Sequence, residues 1–235
     1  MTERDCLREG LSAMGLVIPD EQQDTLLRYM EMVASAPLNL IGPVEVGERV
    51  PRHLLDSMAA LCVHKFKPGE RVLDIGSGGG LPGISLAITC PQSAFVLMDS
   101  VEKKTRFLSE SAAVGLANVE VWTCRAEEAG QDPDRRASFD TVTARGVAEL
   151  RVLCEYAFPL LKAGGRLIAY KGPRAPTELS EAHTAISLLG GSQADIRVVD
   201  IPFSKRANQM VILQKTGPTP RKYPRRVGKP AKNPL

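Results

Sequence analysis

Residues Arg71 to Gly83 read RVLDIGSGGGLPG, and they decide the fold. Val72, Leu73 and Ile75 form a short apolar run of the kind that makes a buried strand. Gly76, Gly78, Gly79 and Gly80 follow at once. A glycine cluster directly after a strand lets the backbone turn sharply, and lets a ligand approach where a Cβ would collide. Pro82 suits the first turn of a helix, where its missing N–H has no partner to lose. Strand, glycine turn and helix N-terminus together predict a nucleotide-binding entrance.

The glycines fit two registers. Gly78, Gly80 and Gly83 satisfy the dinucleotide pattern GxGxxG, but leave Gly76-Ser77 between strand and first glycine and put Pro82 before the close-packing one. Counting from Gly76 instead gives Asp74-x-Gly76-x-Gly78-x-Gly80. This DxGxGxG pattern is the first motif of methyltransferases that use S-adenosylmethionine (SAM). Asp74, near the strand end, can serve the ammonium of the cofactor's amino-acid tail directly or through water. Phe95-Val96-Leu97-Met98 reads as a second strand ending in Asp99. An acid there accepts hydrogen bonds from ribose hydroxyls, in NAD and SAM enzymes alike. Ser100 is available to cap the next helix, so Asp99 is expected to be free for the ligand.

Around this stretch the chain is ordinary for a globule: 235 residues, 43% hydrophobic and 24% charged. Its apolar runs fall short of a membrane span, and MTERDCLREG lacks a signal-peptide core, so a cytoplasmic protein is expected. Cys6, Cys62, Cys90, Cys124 and Cys154 are scattered with no CxxC. They read as reduced, mostly buried small apolar residues, with no metal site.

Residues 1–66 read as a helical cap. Leu7, Leu11 and Met14 share one helical face, and Leu26, Leu27, Met30 and Val33 another, with Asp20 as its cap. A third helix is predicted over Val50–Phe66, preceded by Asn39 to His53, NLIGPVEVGERVPRH. Residues 67–215 alternate strand and helix. Helices are expected at Val101–Gly115, Leu150–Leu161 and Leu179–Leu189. Further strands are expected at Val119–Thr123, Phe139–Thr143 and Arg166–Tyr170, then an antiparallel pair, Ile196–Ile201 and Met210–Leu213, joined by a short polar loop. This predicts an α/β fold, a mostly parallel open sheet whose strand ends bring Gly76, Asp99, Arg125 to Glu127, Arg145 and Lys171 to one crevice.

Residues 216–235 are a third, Pro-rich segment holding Arg221, Lys222, Arg225, Arg226, Lys229 and Lys232 and no acid. These six cations exceed the whole chain's +3, so residues 1–215 carry −3. Such a segment is expected to bury no core of its own and to grip RNA phosphates. The alternative is that it folds over the cofactor cleft, anchored by Tyr223.

With NLIG, RHLLDS, LDIGSGGGLPGISLAI, MDSVEKKTRFL, RAEE, ARGVAEL, YKGPR and RKYPRRVGKPAKNPL in order, the chain from about Asn39 to Leu235 resembles the RsmG/GidB family. The first 38 residues match it only as a helical cap of the right length. These are bacterial 16S rRNA guanine-N7 methyltransferases acting on guanine 527 in the 530 loop. The resemblance implies a Rossmann-like seven-stranded SAM-methyltransferase sheet and the small ribosomal subunit or its assembly intermediate as partner; no long apolar face is left over once sheet and cap are covered, so a monomer is expected. It implies that Gly76 and Leu81 line the cofactor's methionine end, Asp99 holds the ribose, and Ala126 and Glu127 meet the adenine. Arg145 would lie between cofactor and substrate, with Asn39, Arg52, His53 and Lys171 on the rim facing the guanine.

Other methyl-transfer chemistries would leave different marks. Amino-group methylation would call for an (Asn/Asp)-Pro-Pro-(Tyr/Phe) turn after the fourth strand, where this chain has Ala144-Arg145-Gly146-Val147. Cytosine C5 chemistry needs a cysteine nucleophile. Cys90 lies at a helix end, and Cys124 falls where adenine is expected.

Overall fold

The structure, a computed structural model, describes residues 1–42, 45–112, 115–204 and 208–235. Parts of three expected features lie outside the described residues: the Asn39–His53 stretch at 43–44, the Val101–Gly115 helix at 113–114, and the late polar loop at 205–207.

Seven strands form one sheet in the order β3-β2-β1-β4-β5-β7-β6. They are β1 (Arg71–Ile75), β2 (Ala94–Asp99), β3 (Val119–Thr123), β4 (Phe139–Arg145), β5 (Leu161–Lys171), β6 (Gly191–Val199) and β7 (Asn208–Lys215). β1 to β5 run parallel, while β7 pairs antiparallel with both β5 and β6. Side chains alternate along a strand, so neighbours serve opposite faces. Val72, Phe95 and Leu97 pack into one core, whereas Leu73, Val96 and Met98 pack into the other.

The first core takes helices α1 (Glu3–Ala13), α2 (Asp20–Ser35), α3 (Asp56–Val63), α4 (Gly83–Thr89) and α5 (Glu102–Ala112). Thr2 and Asp5 close a capping box at the start of α1. Pro19, not Asp20, holds the N-cap position of α2, and Asp20 is its first residue, where a carboxylate still complements the helix dipole. The second core takes α6 (Ala126–Gln131), α7 (Leu150–Ala157), α8 (Ala175–Glu181) and α9 (His183–Leu188). The short α10 (Lys229–Lys232) lies in the tail.

Several boundaries depart from the sequence reading. The helix expected from Val50 opens as a π turn over Val50–Leu55, becomes α3, and stops at Val63. His64 is extended, and its ring reaches the Glu70 carboxylate at 2.7 Å. α7 ends at Ala157 rather than Leu161: Phe158 keeps helical backbone, but Pro159 has no N–H to continue the helical bonding. Leu161 then starts β5, several residues early. Leu179–Leu189 divides into α8 and α9 around Ala182. β6 begins at Gly191 and ends before Ile201.

The tail is docked against the sheet's second face. Arg136 donates to the carbonyl oxygens of Thr219, Pro220 and Tyr223. Tyr223 is buried in the second core. Composition suggested a segment without a core of its own, and that much holds. The segment is ordered because the body supplies the core and the acids.

Candidate functional site

The carboxyl ends of β1, β2, β4 and β5 border two cavities, of about 810 Å³ and 310 Å³, which share Gly76, Lys104 and Gly146 in their walls. They form one crevice with two halves. The larger half is lined by the glycine turn, Leu81, Arg52, His53, Asp56, Arg145 and Lys171. Asp99, Ala126, Glu127, Met98, Val147 and Tyr156 line the smaller.

The glycine turn is held from below and behind. The amides of Gly76 and Ser77 both donate to the Met98 carbonyl, at 2.7 and 3.0 Å, and the Ser77 hydroxyl donates to the Asp74 carbonyl at 2.9 Å. Gly76 and Gly78 have φ of +67° and +55°, and both line the larger cavity. A Cβ on Gly78 would meet no protein atom closer than 3.8 Å, so the space beside it belongs to the crevice. Gly80 faces the protein instead. A Cβ there would lie 2.1 Å from the Tyr29 hydroxyl, which donates to the Gly79 carbonyl at 2.7 Å. At Gly83 a Cβ would lie 2.3 Å from Leu97 Cδ2. Gly80 and Gly83 therefore serve packing.

Asp74 lies beneath the turn, with no exposed surface, and lines neither cavity. Its carboxylate accepts from the Thr143 hydroxyl at 2.8 Å and the Gly83 amide at 3.2 Å. Burial pushes its pKa up to about 6 against those hydrogen bonds. Asp74 thus fixes strand, turn and helix together. Asp99 is not free: one oxygen accepts from the Gly78 amide at 3.0 Å, the other from Val101 at 2.9 Å. Asp99 itself, rather than Ser100, holds the start of α5. Each carboxylate oxygen retains a second lone pair, so hydroxyls can still be accepted at the cavity edge.

Arg145, the last residue of β4, donates to Asp56 at 2.6 Å, and Asp56 also accepts from Asn208 at 2.8 Å. The π turn delivers Arg52 and His53, and the start of α3 delivers Asp56, to the crevice wall, and Arg52 pairs with Glu48 at 3.0 Å. π turns recur at functional sites. Lys171 lines the cavity, but its ammonium donates to Glu178 at 2.6 Å and to the Ala148 carbonyl at 2.7 Å. Asn39 is exposed beside the crevice, whose wall is made by its neighbours Leu40 to Gly42.

Glu127, in the smaller half, accepts from the Gly228 amide at 2.9 Å. Next to Tyr156, the fully buried Glu155 receives Arg225 through its backbone amide and its guanidinium. Arg225 is thereby engaged within the protein, while Arg221, Lys222, Arg226 and Lys232 are exposed and Lys229 is half-buried.

Of the five thiols, Cys6 and Cys154 are buried, Cys90 and Cys124 are half-buried and Cys62 is exposed, so burial is less complete than expected. Burial raises every one, Cys90 to about 11, which keeps them protonated and poor nucleophiles. Lys104, Asn208, Tyr29 and Glu155 were missed by sequence reasoning. Only Lys104 carried a signal, one turn after the acid that ends β2.

The seven-stranded order, the glycine turn after β1 and the acid ending β2 define the Rossmann-like class of SAM-dependent methyltransferase folds. Solved structures agree on the fold. A SAM-dependent methyltransferase from Aquifex aeolicus superposes with a TM-score of 0.53 at 20% identity, covering 71% of this chain and 92% of that one. A SAM-dependent O-methyltransferase from Thermotoga maritima gives 0.54 at 15% identity, covering 82% and 72%. Within this class, the GidB family, rRNA small subunit methyltransferase G, matches residues 22–208, and the chain belongs to it. Ribosomal RNA small subunit methyltransferase G from Symbiobacterium thermophilum is 39% identical, over 99% of this chain and 98% of that protein. The protein of that name from Pelotomaculum thermopropionicum is also 39% identical, over 98% of each. Among the described residues, no helix is long and apolar enough to cross a membrane.

Proposed function

We propose that this protein methylates N7 of a guanine in 16S rRNA, guanine 527 of the 530 loop, with SAM as the methyl donor. The observation that carries the reading is the two-part crevice meeting at Gly76, in a chain of this family. Its residues fit the cofactor. Gly76, Gly78 and Leu81 would hold the methionine end, Asp99 the ribose, and Ala126 and Glu127 the adenine. Asp74 acts beneath the turn rather than on the ligand.

Bound SAM supplies an electrophilic methyl group on a sulfonium. Guanine N7 carries a free lone pair at neutral pH, so no proton has to leave before attack. The residues orient the base and exclude water. Arg145, fixed by Asp56, would meet O6 beside N7. Arg52 and His53 form the wall against which the base rests, with Asn39 at its outer edge. Lys171 braces the loop after β4 through the Ala148 carbonyl. The protonated thiols support direct in-line transfer without a covalent enzyme intermediate. A loop guanine must be splayed out to present N7. Arg221, Lys222, Arg226, Lys229 and Lys232 suit phosphates along its approach. Arg225 instead fastens the segment that carries them.

The test is to map N7-methylguanine in 16S rRNA from cells with and without this gene, then restore it with purified protein and SAM. Loss and recovery at one guanine is expected. Unchanged methylation in the deletion strain overturns the assignment.

A further inference from the structure

The larger half of the crevice has a charge problem. Under the proposed reading it receives a sulfonium and releases an N7-methylated, cationic base. The sulfur keeps the electron pair of the breaking S–C bond, and N7 donates the pair of the new N–C bond. A unit of positive charge therefore passes from cofactor to base without leaving the cleft. Yet Arg52, Lys104, Arg145 and Lys171 already line that cleft. Arg52 and Lys171 are paired with Glu48 and Glu178, which stand outside the lining. Among the described residues of the lining, one carboxylate is present, Asp56.

Three separate elements place it. Asp56 opens α3 directly after the π turn, Arg145 ends β4, and Asn208 begins β7. Asn208 holds one carboxylate oxygen at 2.8 Å, leaving the other for Arg145 at 2.6 Å. The paired side chains are only 18% and 16% exposed, so water screens their field weakly.

We propose that Asp56, oriented by Asn208, is the counter-charge of the cleft: it cancels Arg145, so that the site favours a cationic cofactor over a neutral one and tolerates positive charge appearing on the base. Asp56 is thus a positioning residue with an electrostatic task beyond holding Arg145 still. The inference rests on the reading of the crevice as a SAM site.

The test is calorimetric, on the full chain without RNA, comparing affinities for SAM and S-adenosylhomocysteine, which lacks the methyl group and the charge. Asp56→Asn keeps the shape, and the Asn208 amide can rotate to satisfy the new amide. Its preference for SAM should fall on the order of 10-fold. Arg145→Gln leaves Asp56 uncancelled and should move the preference the opposite way. The double variant should return to within about 2-fold of wild type. A residue that merely supported the fold would not shift this ratio in opposite directions. Unchanged ratios, or both single variants shifting the same way, overturn the proposal. Should Asp56→Asn not fold, Arg145→Gln alone decides: a raised preference supports the counter-charge, and an unchanged or lowered one overturns it. Failure of the wild-type protein to bind SAM would instead remove the cofactor reading.

Discussion

The glycine turn and the C-terminal tail reach the same crevice by opposite means. The turn reaches it by lacking side chains: Gly76 and Gly78 adopt positive φ, a Cβ on Gly76 would meet Val147 at 2.8 Å, and Gly78 leaves open space beside its backbone. The tail reaches it through distant contacts, with Gly228 on Glu127, Arg225 on Glu155, and Tyr223 in the second core. A site made by local backbone is written in consecutive residues. A site completed by partners 70 and 101 residues away leaves in its own stretch only charge and proline. Composition therefore identifies which groups a segment carries, but not which of them the rest of the chain has already engaged.

Truncation after Thr216 probes that contrast most severely. It would strip Tyr223 from the core and leave Glu155, whose side chain is 1% exposed, without its cation. We expect a loss of about 5 kcal/mol or more, together with weaker SAM binding through Glu127. A truncated protein with unchanged melting temperature and SAM affinity would return the tail to a pure phosphate grip.

Gly80→Ala is expected to cost about 3 kcal/mol, from overpacking and the strain of a Cβ at φ +74°. It should also displace the turn from the cofactor. Denaturant unfolding and SAM calorimetry read both effects, and a neutral result would show that Tyr29 yields easily. Tyr29→Phe removes only the hydrogen bond to the Gly79 carbonyl and should cost about 1 kcal/mol. If it proves as damaging as Gly80→Ala, the turn depends on the cap more than its own geometry implies.

The mildest change is Lys222→Gln with Arg226→Gln, both exposed. Stability should stay within about 0.5 kcal/mol. The log–log salt slope of RNA binding should fall by about 0.7–0.9 for each phosphate left without its cation. An unaltered slope would take these two cations off the RNA.

Much of the fold was legible because its signals are local. Apolar runs ending in glycine or acid placed β1 and β2, and the antiparallel pair followed from two strands joined by a short polar loop. Helix ends were harder. Leu160 and Leu161 continue the apolar period of α7, but Pro159 intervenes and Leu161 belongs to β5. Asp99 and Asp74 were both expected at the ligand; Asp99 lines the crevice and Asp74 lies beneath it, and their engagement with Gly78, Val101, Thr143 and Gly83 was not foreseen. Hydrogen bonds between strands and turns depend on register, which no single stretch contains. Asn208 had no signal at all, because its importance lies in meeting Asp56 across 152 residues.

The contact between Gly228 and Glu127 also imposes an order in time. Glu127 is synthesised 101 residues before the amide it accepts, and Glu155 waits 70 residues for Arg225. A nascent chain can fold its earlier strands and helices while synthesis continues. The wall at Glu127 and Glu155 nonetheless lacks its final brace until Arg225 and Gly228 have been made. The enzyme is therefore expected to mature only after Gly228 has emerged from the ribosome that made it.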